Sequence, residues 1–337
     1  MARDVWIIAE QIGGQIRKVT YELIGEGKRL AGELSEKVCA VLLGYKVRGL
    51  ANSMAHYGAD KVFVADEPNL EKYTADAYVP IIVDLVKVHE PSILLMGSTF
   101  QGKDLGAWLA AKLKTGLATD CVEFRIEDNN LLVKRPVYGG KAFLEVVCKK
   151  TRPQMALVRS GVFKVPPPDE SKTAEVFNVD VELDPSSLKT KVLDVSLTGK
   201  MDVTEADILV SGGMGMGSPR VAGFSKDKPA ENFYILENLA ELLGGTTSCS
   251  RLVADAGWRP GAEHVGLTGK QVAPTLYIAC GLSGAIQHLA GIVAARYVVA
   301  INIDPEAPIF KRANWGIVGD LFEVVPTLIE EIKKVKG

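Results

Sequence analysis

Largely apolar runs of strand length, each closed by glycine or a turn, recur along this chain with helical segments between them. VWIIAE (Val5 to Glu10), KVCAVLLG (Lys37 to Gly44), KVFVAD (Lys61 to Asp66) and SILLMGST (Ser92 to Thr99) are the first four. After the first of them, Leu23, Leu30 and Leu34 fall on one helical face, and helices are predicted near Arg48 to Tyr57 and Tyr73 to His89. A strand that is apolar on both faces has to be covered on both faces, and neighbouring parallel strands need a crossover of helical length. The pattern therefore predicts an α/β fold, with mainly parallel sheets flanked by helices.

From about Leu117 the texture changes. CVEFRIEDNNLLVKRPVYG places two alternating segments around Asp128–Asn129–Asn130, which is a hairpin signal. AFLEVVCK and QMALVR read as further antiparallel strands, so the first domain is expected to carry a β-rich extension. The stretch from Val165 to Ser187 holds three consecutive prolines and several acidic residues, although its VFNVDVEL portion can pair as an edge strand. A chain of 337 residues is about twice a usual domain. Two α/β domains are expected, residues 1–188 and 189–337.

The second domain opens with ADILVSGGMGMGSPR, a strand entering a glycine-dense turn. Ile235, Leu236, Leu239, Leu242 and Leu243 then form a helical stripe that Gly244 and Gly245 stop. YVVAINID brings Asn302 to the carboxyl end of a buried strand, where open α/β sheets place ligand contacts. Leu321, Val324, Val325, Leu328, Ile329 and Ile332 mark a final helix, which Gly319 and Asp320 are placed to cap. The stretch from Val265 to Gly291 reads as turn, short strand (Leu276 to Ala279), Gly/Ser break and helix. Unpaired backbone N–H groups converge at such a break and suit an anion or an electron-rich ring.

Several function classes are excluded at this level. A formal charge of −2 leaves no basic stripe for nucleic acid. Between Lys270 and Arg296 no charged residue occurs, but Pro274, Gly281, Gly284, Gln287 and His288 interrupt the run, so it does not read as a membrane span. Four histidines and five scattered cysteines give no metal pattern, and the odd cysteine count without CxxC points to buried reduced thiols and a cytoplasmic protein. Ser283 in G-L-S-G lacks the nucleophile-elbow spacing, and neither HExxH nor a Walker lysine motif occurs. Gly213, Gly215 and Gly217 do not give the dinucleotide fingerprint, which leaves a nicotinamide-nucleotide oxidoreductase as a distant alternative and a nucleotide-binding regulator as another.

Four motifs taken in order carry a resemblance: VGLTGK, YIACGLSGAIQHLAG, AINIDPEAPIF and WGIVGDLFEVVP. With SGGMGMG and SRLVADAGW ahead of them, they resemble the α subunit of the electron-transfer flavoproteins. The likeness is dense from Ala206 to Pro326 and looser in EQIGGQIRKVTYELIG near the N-terminus. It implies FAD held by the second domain, and a heterodimer in which the first domain packs on a β subunit. It also implies an electron carrier between dehydrogenases, such as the acyl-CoA dehydrogenases of fatty acid β-oxidation, and a quinone reductase. The alternative within the family is an electron-bifurcating complex using NADH and ferredoxin. The resemblance implies an electron carrier with no catalytic residues of its own, and an oxidoreductase-type role in the bifurcating case.

Carried over by position, the resemblance implies that Thr268, reached through Val265, Gly266 and Leu267, bonds the flavin near N5 or C4=O. Arg251 would set a positive charge by the ring with Ser250 beside it, and His288 would approach the C2=O edge. Ser283, Gly284, Ala285, Ile286 and Gln287 would supply donors, while Asn302, Asp320 and Leu321 would hold the adenosine diphosphate end. A reduced flavin is anionic, so a guanidinium, an imidazole and a helix N-terminus near its pyrimidine edge would all favour reduction. Two positions depart from the family pattern. Met214 stands where the family commonly has arginine, with Arg220 or Lys226 as candidate replacements, and Leu267 stands where it usually has glutamine.

Overall fold

The computed structural model describes residues 3–140, 142–181, 183, 188–195 and 200–336. Contacts divide the chain into two units, Met1–Val137 with Ala142–Ser196, and Tyr138–Lys141 with Leu197–Gly337.

The first unit begins with β1 (Val5–Ile8), a small hairpin of β2 (Gln11–Ile12) and β3 (Gln15–Ile16), and α1 (Lys18–Leu34). It continues through β4 (Val38–Gly44), α2 (Ala51–Tyr57), β5 (Lys61–Asp66), α3 (Ala75–His89), β6 (Ile93–Gly97) and α4 (Phe100–Leu113). Then follow β7 (Leu117–Cys121), β8 (Glu123–Glu127), β9 (Asn130–Val137), β10 (Ala142–Val147), β11 (Gln154–Val158) and β12 (Glu175–Asn178). The main sheet has the order β12-β5-β4-β1-β6-β11-β7, and every neighbouring pair is parallel.

Period-two alternation within the apolar strands builds two cores at once. Val5 and Ile7 of β1 join Ala40, Leu42 and Val64 against Leu23 and Leu30 of α1 and Met54 of α2. Trp6 and Ile8 face the other way, with Val41 and Phe63, onto Ile82 of α3 and Leu105 and Leu109 of α4. Strands buried on both faces explain why the sequence shows continuous apolar runs.

The β-rich extension is a three-stranded antiparallel sheet of β10, β9 and β8. Its first hairpin turns through Asp128 and Asn129, both at positive φ, which is what a tight two-residue connection demands. QMALVR does not belong to this extension, contrary to the expectation from sequence. Its strand β11 lies between β6 and β7, parallel to both, with all five residues buried. The apolar run is the parallel-strand signature, and Gln154 interrupts it only because its amide is satisfied by Leu131 N and the Cys148 carbonyl.

Helix α4 has no clear stripe in the sequence because Gly102 and Gly106 dilute it. Thr99 caps it, with Oγ1 accepting from Gly102 N at 2.9 Å. The chain from Val165 onward stays with the first unit, since β12 pairs with β5 and Val179, Val181 and Leu183 pack on the α3 side. Residues 182 and 184–187 of the expected boundary stretch lie outside the described residues.

The second unit contains β13 (Ile208–Gly212), α5 (Tyr234–Leu243), β14 (Thr246–Cys249), α6 (Arg251–Asp255) and β15 (Leu276–Cys280). It ends with α7 (Ile286–Gly291), β16 (Tyr297–Asn302), β17 (Trp315–Val318) and α8 (Leu321–Lys336). The sheet order is β14-β13-β15-β16-β17, again parallel throughout. Leu236 and Leu239 of α5 and Phe322 and Val325 of α8 cover one face. On the other, Leu209, Tyr277 and Val298 pack with Leu282 and Ile292. Asp320 starts α8 as expected, its Oδ1 accepting from Phe322 N at 2.9 Å. β17 forms one edge, and Trp315, Ile317 and Val318 are exposed along it.

Among the described residues no helix is long and apolar enough to cross a membrane, and no cluster of histidine, cysteine and carboxylate side chains could hold a metal ion.

Candidate functional site

Parallel strands deliver all their following loops to one edge of the sheet. In the second unit Gly213 follows β13, Ser250 follows β14, Gly281 follows β15 and Ile303 follows β16. These loops are stitched together through their backbones. Gly213 N donates to the Cys280 carbonyl at 2.9 Å, Gly215 N to Gly281 O at 3.1 Å, and Ser250 N to Gly212 O at 3.1 Å. The approach is close enough that a Cβ on Gly213 would run into the Gly281 carbonyl and come within 2.8 Å of Leu282 Cα. Glycine at 213 is therefore a condition for the loops to meet.

Two cavities lie on this edge. The larger, about 470 Å³, is lined by Ser250, Arg251, Val265, Leu267 and Thr268 on one side. Ser283, Gly284, Ala285, Gln287 and His288 line its other side. The smaller, about 240 Å³, is lined by Ser218, Arg220, Ser283, Asn302, Asp320 and Leu321, among others. Gly281 and Ser283 line both, so the two cavities abut. Of the site residues expected from sequence, Gly266 and Ile286 line neither cavity.

The larger cavity is apolar in its walls and carries its charge at the rim. Arg251 begins α6, its side chain 61% exposed, and Nη1 donates to Thr268 Oγ1 at 3.3 Å while Nε pairs with Asp255 at 3.3 Å. Arg251 and Thr268 are 17 positions apart in sequence, so the structure joins two of the expected ring contacts directly. Leu267 keeps its main chain engaged, N to Gln287 O at 2.7 Å, and leaves its side chain half exposed.

His288 is buried, with Nε2 at 2.8 Å from the Tyr277 hydroxyl and Nδ1 without a hydrogen-bond partner. Burial, helped by the neighbouring His264, lowers its pKa to about 4. The imidazole is neutral near pH 7. The imidazole expected beside Arg251 is therefore a hydrogen-bonding group that adds no positive charge. The expected helix N-terminus at Ser283 is also corrected. α7 starts only at Ile286 and spans six residues, because Gly284 at φ +82 turns the chain first and presses on Ile309.

In the smaller cavity Asn302 is already committed to bracing loops. Its Nδ2 donates to Leu282 O at 2.8 Å and its Oδ1 accepts from Asp304 N at 3.0 Å. Asp320 uses one oxygen to cap α8, and its buried Oδ2 has no partner. Each cavity is thus lined by one residue with a buried polar atom that no group of the chain bonds.

Residues that sequence reasoning missed include His264, whose pKa is lowered by burial and then by Arg251, and which lines the larger cavity. Its position just ahead of VGLTGK is the signal that could have found it. Met214 also lines this cavity, whereas Arg220 lines the smaller one and Lys226 lines neither. All five cysteines are free. Burial pushes the thiols of Cys249 and Cys280, at the ends of β14 and β15, up to about 12, which makes them inert packing groups.

Comparison with known proteins adds to this geometry. The family described as "Electron transfer flavoprotein domain" matches residues 5–184, and the "Electron transfer flavoprotein FAD-binding domain" matches residues 202–293. The chain is 44% identical over 337 residues to the electron transfer flavoprotein subunit alpha of Thermoanaerobacterium thermosaccharolyticum, covering 99% of each chain. It is 45% identical to Protein FixB of Clostridium saccharobutylicum, over 99% of this chain and 97% of that one. It is 38% identical to the acryloyl-CoA reductase electron transfer subunit beta of Anaerotignum propionicum, over 99% and 97%.

Proposed function

Because the chain belongs to the electron transfer flavoprotein family as an α subunit, with FAD as its cofactor, we propose that the two abutting cavities hold that FAD. The larger takes the flavin ring and the smaller the adenosine diphosphate end. The observation that carries this is that Gly281 and Ser283 line both a largely apolar cavity and a neighbouring one richer in polar groups. A flat ring joined to a polar tail needs that pairing. The unpartnered His288 Nδ1 and Asp320 Oδ2 support it, one in each cavity.

FAD, when bound, supplies the electron-accepting and electron-donating chemistry. The chain's own residues position and bias it. Arg251 would hold a permanent positive charge at the rim of the ring cavity, with Ser250 and Thr268 beside it. His288 would act as an uncharged hydrogen-bonding group. Leu267 would close the cavity with an apolar side chain and no polar contact. Asp320 Oδ2 accepts hydrogen bonds and would suit a ribose hydroxyl. Arg220 would place a cation in the smaller cavity and so stand in for the arginine absent at Met214.

α subunits of this family pair with a β subunit. We place that contact on residues 1–188, where Phe143 and Leu144 are half exposed on the extension and Phe100 and Trp108 are exposed on α4. Residues 189–337 then form the FAD-binding domain. The donor is proposed to be a dehydrogenase of the acyl-CoA type and the acceptor a quinone reductase. The name of the relative from Anaerotignum propionicum, an acryloyl-CoA reductase electron transfer subunit, supports the donor class. Free, mostly buried cysteines support a cytoplasmic location.

A paired substitution tests the division of the site. Arg251→Ala is expected to lower the flavin potential by on the order of 60 mV, a tenfold change in a one-electron equilibrium, with FAD still bound. Arg220→Ala is expected to weaken FAD retention through dialysis while the bound flavin keeps its potential. An unchanged potential in the first variant, or unchanged retention in the second, removes that residue from its proposed place.

A further inference from the structure

Behind the larger cavity lies a polar cluster that the assignments above leave unused. Tyr277 is fully buried in β15, and its hydroxyl lies 2.8 Å from His288 Nε2. The hydroxyls of Ser211 on β13 and Ser248 on β14 adjoin that phenol but make no hydrogen bond of good geometry, to it or to any other group. Although β14 is an edge strand, Ser211 and Ser248 are as fully buried as Tyr277. Burial raises the phenol pKa well above its ordinary value, so the tyrosine keeps its proton.

A neutral imidazole carries one N–H, and the group bonded to one nitrogen decides which nitrogen bears it. Two arrangements satisfy the 2.8 Å contact. In the first, Nε2–H donates to the phenol oxygen, and Nδ1 presents a lone pair. The Val265 main-chain carbonyl lies near the ring and favours a proton there, so this arrangement opposes two lone pairs in a buried place. In the second, the phenol donates to Nε2 and the proton sits on Nδ1. Nδ1–H then has the Val265 carbonyl nearby, although no hydrogen bond of good geometry reaches it. It remains a donor in need of an acceptor, on a residue that lines the cavity.

We propose that Tyr277 is a positioning residue: its hydroxyl donates to His288 Nε2, fixes the Nδ1–H tautomer, and so makes His288 a hydrogen-bond donor toward the cofactor. This rests on the ring occupying the larger cavity. A carbonyl oxygen at the pyrimidine edge of a flavin is an acceptor that gains electron density on reduction, so a donor held there favours the reduced form.

The test uses the FAD-loaded chain with its β subunit, labelled with nitrogen-15 in histidine. Nitrogen shifts of His288 in the unsubstituted protein are expected to show Nδ1 protonated and Nε2 as the acceptor. In Tyr277→Phe the ring is expected to populate the Nε2–H form. The FAD dissociation constant should rise about fivefold, the worth of one net hydrogen bond, and the flavin potential should fall. A protonated Nε2 in the unsubstituted protein overturns the proposal whatever the flavin does, and needs no variant to fold. The expected tautomers with FAD affinity and potential both unmoved in Tyr277→Phe would leave the tyrosine–histidine link intact and overturn the placement of the ring in this cavity.

Discussion

Gly213→Ala is expected to destabilise the second unit by about 3 kcal/mol and to yield a chain purified without flavin. A Cβ at this position has no soft neighbour to displace. It meets the Gly281 carbonyl and the Leu282 main chain, and Gly281 and Leu282 follow β15 directly. Relief requires the β13 and β15 loops to separate. That separation breaks the hydrogen bonds from Gly213 N to Cys280 O and from Gly215 N to Gly281 O, and it opens the wall that both cavities share. Backbone φ is not the cause, since Gly213 sits at −104° where any residue is comfortable. Urea denaturation of the FAD-free chain reads the stability, and absorbance of the purified heterodimer reads the flavin. Gly261→Ala is the control, because nothing lies within 4 Å of a Cβ there and its φ is unremarkable. Equal stability of the two variants would show that the loop contact does not hold the site together.

The second large effect is a pH dependence from His288. Its folded pKa is lowered from 6.5 to about 4, so the unfolded chain binds the proton more readily than the folded one between those values. Stability from this group is fully present above pH 6.5 and is lost as the pH falls toward 4. The size is about 3 kcal/mol. His264, also lowered by burial, adds to the slope with the same sign. Most of the lowered carboxylates, such as Asp202 and Glu237, act at lower pH. Melting temperatures of the FAD-free chain between pH 7 and 4.5 are expected to fall steadily, and His288→Gln is expected to flatten the fall. A slope unchanged by that substitution would mean that the imidazole is solvated in the native chain.

The α/β class was legible because a parallel sheet writes itself as apolar runs with nothing polar on either face, as in β1, β4 and β6. The same physics explains the error at QMALVR. Gln154 at the head of the run and an antiparallel neighbour in sequence suggested continuation of the hairpins. The strand instead crosses back into the main sheet, and only its hydrogen-bond partners, Leu131 N and Cys148 O, reveal that the glutamine is a buried plug. Helix α4 was hidden by Gly102 and Gly106, which are present for close packing and weaken the local helical signal. β17 is too short to stand out.

In the site, the motifs that repeat a family pattern brought Arg251, Thr268, Ser283 and His288 to one cavity, as their place in separate strand-end loops allows. What no local pattern could supply was charge state. A histidine in sequence has no burial, so its charge stayed open until the structure showed the ring buried, with Tyr277 against one nitrogen and no partner at the other. Tyr277 itself reads as an ordinary strand aromatic. Its meaning depends on His288, which the following helix brings to its hydroxyl.

The bare edge at β17 has a consequence for how this protein behaves in bulk. Four residues, WGIV, carry no charge and no proline, and three of them turn large apolar side chains to solvent along a row of backbone groups. Such an edge is a template on which any extended segment can crystallise as one more strand. Its brevity is the main defence, because four residues offer few hydrogen bonds to an intruder. Concentration, shear and partial unfolding near α8 would erode that defence first. Self-association through this short strand is then a hazard separate from loss of the flavin.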